Sequence, residues 1–410
     1  MADFYDAKET RDPATRQAEQ WQALRAQIAH AQANAPYFAE ILHGVNAQDI
    51  KTPADLAKLP VIRKSDLHAR QKAAPPLGGL AAVALAKLKH VYQSPGPIYE
   101  PDGFEADHWR FARAMWCAGL RPGDLVLNCF SYHLTPAGML VESAAHAIGC
   151  PVIPGGVGNT ELQIQAINDL KPVAYGGTPS FLRILLQKGR EMNLDVSSLK
   201  KALVGGEALP PSLRKEINDL GCFVLQSYGT ADLGLIAYES PAMEGLILDE
   251  DVIVEIVRPG TGDPVAEGDV GEVVVTTLRN KDYPLIRFAT GDLSAILAGQ
   301  SPCGRTNTRI KGWMGRADQT TKVKGMFVTP GQIAQVAARH PEIAKARLEV
   351  TSSDNVDAMV LKVEAKAGLD AAKAAESLQA ICKLRGSVEI VAPGSLPNDG
   401  KVIADLRTYQ

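Results

Sequence analysis

Between residues 91 and 225, short apolar runs alternate with longer stretches whose apolar positions recur at helical spacing. The runs at 124–130, 151–153, 173–175, 202–204 and 223–225 read as strands. Helices are predicted at 137–148, 160–170, 179–192 and 210–220, with another over 104–119 carrying Trp109, Phe111, Met115 and Trp116. Strand and crossover helix in alternation predict parallel strands. Upstream, Trp21, Leu24, Ile28 and Ala31 fall on one face of a helix over 13–42, which Pro36 interrupts. Four prolines punctuate 51–76, which predicts short pieces, with a helix start at Lys64-Ser65-Asp66-Leu67. After Leu235 the pattern becomes β-branched. The runs 252–257 and 272–277 flank Pro259-Gly260-Thr261-Gly262, an antiparallel arrangement, and 284–288 is again strand-like. Residues 301–318 are loop-rich and mark a boundary. Beyond it come a helix (330–339), strands (346–350 and 359–363), a helix (370–384) and a strand (388–391). The expected class is α/β. A large multi-subdomain N-terminal domain, 1–317, holds mostly parallel sheets and a β-rich part; a small α+β domain, 318–410, follows.

Composition narrows the function little. At 410 residues the chain exceeds a single compact core. Its 46% apolar and 22% charged residues are ordinary for a globular protein. A net charge of −3 offers no basic excess for nucleic acid. The six cysteines include no CxxC pair, so neither a disulfide framework nor a self-contained zinc site is expected. The first residues lack a basic segment followed by an apolar one, and no apolar run reaches membrane-spanning length. A cytoplasmic enzyme without a membrane or nucleic-acid partner is the expectation.

Chemistry gathers at strand ends, where an open α/β sheet places its ligand. The apolar run Cys222-Phe223-Val224-Leu225 leads into Gln226-Ser227-Tyr228-Gly229-Thr230-Ala231-Asp232-Leu233-Gly234, where a turn is expected through Gly229. Tyr228 can stack on a base, Thr230 can donate to a phosphate and Asp232 can hold a divalent cation. The same stretch also suits an ordinary loop capped by Thr230 and Asp232. Gly205-Gly206-Glu207-Ala208 ends the preceding strand. Arg287-Phe288-Ala289-Thr290-Gly291-Asp292, Gly315-Arg316-Ala317-Asp318 and Gly400-Lys401 follow. Singly, each also reads as a helix entry, a turn, a solvated loop or a tail.

In this order the motifs resemble the adenylate-forming superfamily of acyl-CoA synthetases, most closely its phenylacetate–CoA ligase-like branch. The resemblance covers nearly the whole chain. It includes Ala35-Pro36-Tyr37-Phe38, Gly156-Val157-Gly158-Asn159-Thr160-Glu161, Lys171-Pro172, Gly177-Thr178-Pro179-Ser180 and Pro284-Leu285-Ile286-Arg287-Phe288. It implies a two-step ligase using ATP, Mg2+ and coenzyme A. An aromatic or arylacetic carboxylate attacks the α-phosphorus, and the coenzyme A thiol then displaces AMP. By motif, Gly206, Glu207, Ala208, Ser227 and Gly229 line the nucleotide and Tyr228 stacks on adenine. Thr230 contacts the α-phosphate, Asp292 accepts from both ribose hydroxyls, and Arg316 reinforces the ribose or phosphate contact. Asp232 stands where the family has an acidic Mg2+ ligand, usually Glu. The C-terminal domain becomes a mobile lid hinged at Asp318. It brings in Lys401 to stabilise charge on the α-phosphoryl oxygens. Lys324 and Gly325 belong to the lid face used for thioester formation, Gly325 allowing close approach of the thiol arm. The acyl pocket is expected at Tyr132, His133, Thr135, Pro136 and Gly138, with His133 reading equally as a capping or core histidine. Of the cysteines that bind zinc in some relatives only Cys303 remains, so no such zinc is expected. A homodimer is compatible with all of this.

One segment departs from the family. Its phosphate loop is rich in Ser, Thr and Gly and ends Lys-Pro; here the stretch is Ser94-Pro95-Gly96-Pro97-Ile98-Tyr99-Glu100-Pro101. Prolines remove backbone donors and Glu100 replaces the cation, so the loop should hold pyrophosphate poorly. The alternative function is therefore a degenerate nucleotide- or acyl-CoA-binding protein without turnover. Adenylation with transfer to an acceptor other than coenzyme A is a third reading.

Overall fold

The computed structural model describes residues 3–94, 97–317, 319–353, 356–397 and 401–407. The chain divides into two compact units, Met1–Leu209 with Arg214–Met314, and Pro210–Leu213 with Gly315–Gln410.

The first unit is built on a nine-stranded sheet. Its parallel part runs Val152–Pro154, Val126–Asn128, Ala174–Gly177, Lys201–Val204, Phe223–Thr230. Val126–Asn128 and Ala174–Gly177 are buried throughout, as expected of parallel strands covered on both faces. Helices Ala137–Ile148, Thr160–Leu170 and Pro179–Glu191 form the crossovers. Gly149 stops the first of these in the left-handed conformation, and Pro179 opens the last with its ring in the first turn.

Three expectations need correction. Phe223–Thr230 does not turn at Gly229; it continues through Thr230, folds back over residues 231–233, and pairs antiparallel with Gly234–Glu239. A Cβ on Gly229 would lie 2.6 Å from the Gly234 carbonyl oxygen. Close strand approach, rather than turning, therefore explains this glycine. Leu246–Leu248, Arg309–Ile310 and Ile296–Leu297 complete the sheet as antiparallel strands. The helix expected over 104–119 shrinks to Ala112–Cys117, because Asp107 and Arg110 take positive φ values of 49° and 66° that no helix accommodates. The strand expected at 284–288 begins only at Phe288 and runs to Ser294, so Asp292 lies within a strand and not in a turn.

A second sheet orders Ile62–Arg63, Phe288–Ser294, Gly271–Thr277 and Val252–Val257, with Val252 opposite Thr277. The N-terminal helix breaks before Pro36 into Pro13–Asn34 and Pro36–Ile41. Leu24, Ile28 and Ala31 on its face share one core with Ile236, Val275 and Phe288, joining both sheets.

In the second unit Ser387–Val391, Val356–Ala365, Ile343–Ser353 and Ile403–Asp405 form one sheet, with helices Pro330–Arg339 and Ala371–Cys382. Leu348, Leu361, Val336 and Leu378 make its core. A hairpin not anticipated from the pattern, Thr321–Val323 with Met326–Val328, precedes them. Among the described residues no helix is long and apolar enough to cross a membrane.

Candidate active site

The hairpin Phe223–Thr230/Gly234–Glu239 brings Tyr228 against Asp292 on the second sheet. The Tyr228 hydroxyl donates to Asp292 Oδ2 at 2.9 Å, while Trp313 Nε1 donates to Oδ1 at 3.0 Å. Thr290 Oγ1 receives the Asp292 amide at 3.1 Å and lies 3.3 Å from the Tyr228 hydroxyl. Asp292 is 8% exposed. Each of its oxygens thus accepts a hydrogen bond from a neighbouring side chain. Ser227 and Gly205 face each other across adjacent strand ends, a Cβ on Gly205 meeting Ser227 Oγ at 3.1 Å. Gly206 takes a positive φ of 74°, and Glu207 accepts a 2.5 Å hydrogen bond from Ser180. Ala208 is half-buried beside them. Trp313 was not singled out by the motifs; nothing local distinguishes it.

At the hairpin tip Thr230 Oγ1 accepts the Leu233 amide at 3.1 Å, which leaves its own proton to donate elsewhere. Asp232 is 1% exposed, and its Oδ2 is 2.5 Å from Lys64 Nζ. Its Oδ1 is buried without a hydrogen-bond partner. Close by, Glu100 is fully buried; Oε2 accepts from Ser94 Oγ at 3.1 Å and Oε1 has no partner. Burial, and then the charge on Asp232, push the Glu100 carboxyl up to about 8, against the opposing pull of Lys64 and the Ser94 hydrogen bond. Lys64 is the second side chain that the motifs missed, since it lies far upstream in an unremarkable helix start.

The expected acyl-pocket residues surround Tyr132. Its hydroxyl donates to Glu142 Oε2 and accepts from Asn128 Nδ2, both at 2.7 Å. Burial and the Glu142 carboxylate raise its pKa well above the ordinary phenol value. A Cβ on Gly138 would come within 2.7 Å of the Tyr132 ring, so glycine there lets the ring lie against the helix. Pro136 is the residue before that helix, and Thr135 is half-buried. His133 is exposed, so the core role does not fit, and the helix that follows Pro136 has no side-chain cap; the His133 amide donates to Ser131 Oγ at 3.2 Å.

In the second unit, Lys401 is exposed. The two amides directly after it are held by Gln319 Oε1, Val402 at 2.7 Å and Ile403 at 3.4 Å. Lys324 and Gly325 form the turn of the Thr321–Val328 hairpin, both at positive φ, and the Lys324 amide donates to Asp357. Arg316 is half-buried. Asp318 and Gly400, like Pro95 and Gly96, lie outside the described residues.

Arg287, part of a quoted motif, belongs to the frame. It is 1% exposed, pairs with both Glu255 oxygens at 3.0 Å, and donates to the carbonyls of Ala57 and Gly262 at 2.8 Å. The segments around Glu239–Asp251 and Cys303 are tied by charge. Glu9, fully buried, pairs with Arg305 at 3.1 Å and accepts from Tyr238 at 2.8 Å; Arg16 pairs with Glu250 at 2.8 Å. A neighbouring cavity of about 310 Å³ is lined by Arg110, Arg113, Asp107 and Asp249 among others. Burial pushes the Asp107 carboxyl up to about 7.

The AMP-binding enzyme family profile matches residues 106–278. The phenylacetate-coenzyme A ligase of Aromatoleum evansii is 30% identical over 383 residues, 89% of this chain and 85% of the relative. That of Escherichia coli (strain K12) is 31% identical over 371 residues, 85% and 82%. Among solved structures, 2-hydroxyisobutyryl-CoA ligase in complex with 2-HIB-AMP and CoA, in the thioesterification state, superposes with a TM-score of 0.83 at 26% identity. That match covers 98% of this chain and 91% of the other.

Proposed function

The chain belongs to the phenylacetate–CoA ligase family of adenylate-forming enzymes, and from that premise we propose how its residues divide the work. The chain is an AMP-forming acid–CoA ligase that joins a carboxylic acid to coenzyme A through an acyl-adenylate. Its acid is aromatic or arylacetic. In support, the Tyr132 ring is pinned through its hydroxyl and lies flat over Gly138, an aromatic wall without a charged tip.

The carboxylate oxygen attacks the α-phosphorus as the bond to pyrophosphate breaks, and the thiol then attacks the acyl carbon and releases AMP. Asp292 accepts from the ribose hydroxyls. Tyr228, its own hydroxyl occupied, offers its ring to adenine, together with Gly206, Glu207, Ala208, Ser227 and Gly229. Thr230 donates its remaining proton to an α-phosphoryl oxygen. Lys401 supplies charge there in the adenylation step, with Arg316 on the ribose or phosphate. The region 318–410 acts as a lid turning at Asp318, and Lys324 and Gly325 line the thiol path. Mg2+ fits Asp232: one buried carboxylate oxygen lacks a partner, and this ion takes few protein ligands beside water and phosphate. Bound there it would neutralise phosphate charge. A cytoplasmic setting completes the reading.

The observation carrying this reading is the Tyr228–Asp292–Trp313 cluster, in which two side-chain donors set the orientation of the carboxylate proposed to meet the ribose diol. The test is AMP release with ATP, Mg2+ and coenzyme A over a panel of benzoic, phenylacetic and short aliphatic acids, including 2-hydroxyisobutyrate. AMP with the aromatic acids is expected. Silence across the panel, while a related ligase responds under the same conditions, overturns it.

A further inference from the structure

The phosphate segment carries no cation of its own, and the helix that begins at Lys64 is bonded to the strand that follows it. His90–Ser94 pairs with Ile98–Asp102, setting Glu100 opposite Tyr92. The helix Lys64–Ala73 is fastened along this hairpin by one face. Gln71 clasps Tyr99 from both sides: its Nε2 donates to the Tyr99 carbonyl at 2.6 Å and its Oε1 accepts the Tyr99 amide at 2.8 Å. One turn earlier His68 Nδ1 is 2.9 Å from the Pro97 carbonyl oxygen. One turn earlier again stands Lys64. Positions 64, 68 and 71 share a helix face, so the two clasps fix where the lysine points.

The ammonium of Lys64 reaches Asp232 Oδ2 at 2.5 Å, and its side chain keeps 24% of its surface open. Both carboxylates at this spot, Glu100 and Asp232, hold one buried oxygen without a partner. The Glu100 side chain feels both the Lys64 and the Asp232 charges. The buried Asp232 carboxylate beside a pyrophosphate would repel it, and the Lys64 ammonium offsets that charge.

Building on the adenylate-forming reading, we infer that Lys64 is the phosphate-side cation of this enzyme: it takes the place of the missing loop lysine, contacts the β,γ end of ATP and is aimed there by Asp232 and by the helix clasped to the hairpin. As the carboxylate–α-phosphorus bond forms, the electron pair of the breaking α–β bridge leaves with pyrophosphate. Lys64 balances that charge and transfers no proton.

The experiment is calorimetric titration of the full chain with a non-hydrolysable ATP analogue and, separately, with AMP, each with Mg2+. Lys64→Met should weaken the analogue tenfold or more and leave AMP within twofold. Lys64→Arg should restore most of the analogue affinity. Equal weakening of analogue and AMP by Lys64→Met would mark a merely structural lysine and overturn the inference, as would no change in either. If Lys64→Met does not fold, Lys64→Gln decides: an unaltered analogue-to-AMP ratio overturns it. A native chain that binds neither nucleotide removes the adenylation reading itself, and this inference with it.

Discussion

The hydroxyl of Tyr228 donates to Oδ2 of Asp292 at 2.9 Å, linking two motifs 64 positions apart. One belongs to the nine-stranded sheet and the other to the four-stranded sheet beside it. On the proposed reading the bond aims a carboxylate before any ligand arrives, a form of preorganisation. Tyr228→Phe keeps the ring and removes the aim. It should raise KM for ATP about tenfold, the worth of one hydrogen bond to a charged group. Asp292→Ala also strands the Trp313 and Tyr228 donors and should cost about a hundredfold or more. AMP release against ATP concentration measures both; equal effects of the two changes would contradict this division.

Lys401→Ala should suppress adenylation by about 10²–10³-fold, the scale of losing one group that stabilises transition-state charge. Lys401 is exposed, so stability should move by no more than about 0.5 kcal/mol. Acid-dependent ATP–pyrophosphate exchange and urea unfolding check the two halves. An unchanged exchange rate would remove the lysine from the mechanism.

Arg287 is expected to behave in the opposite way. Arg287→Met leaves Glu255 buried without its partner and should destabilise by about 3–5 kcal/mol. Burial raises the Glu255 carboxyl and Arg287 holds it down, so the orphaned acid should take up a proton on substitution. Urea unfolding at pH 5 and pH 8 reads this out: the loss should be smaller at pH 5.

Asp107 sets a pH dependence of its own. Its carboxyl lies near 7 in the folded chain, against the ordinary 3.8, chiefly through burial. The folded state therefore keeps this proton where the unfolded chain has lost it. Its stabilising contribution is complete below about pH 4 and is lost as pH rises through 7. Asp107→Asn should flatten that fall, gaining on the order of 1–2 kcal/mol over the native chain at pH 8 relative to pH 5. Parallel pH–stability curves for the two proteins would contradict it.

The parallel strands were legible because buried runs such as Val126–Asn128 and Ala174–Gly177 carry their own apolar signature between well-signalled helices. Gly229 misled because glycine marks both turns and tight strand contacts, and only the carbonyl of Gly234 tells which applies. The 104–119 pattern is apolar at helical spacing, yet Trp109 and Phe111 are buried by tertiary packing around a backbone that Arg110 bends. At the site, the strand-end residues Tyr228, Thr230, Asp232 and Asp292 could be read as short motifs. Lys64 and Trp313 could not, because each acts on a partner distant in sequence and carries no local mark.

One side-chain oxygen in the second unit has a mechanical meaning. By accepting the amides of Val402 and Ile403, Gln319 ties the start of that unit to the strand immediately behind Lys401, across more than eighty residues of intervening chain. On the proposed lid reading, torque applied to the backbone at Gln319 would reach the lysine's own backbone through these two bonds. Shortening that strut, as in Gln319→Ala, would leave the lysine's charge intact but loosen its coupling to the linker.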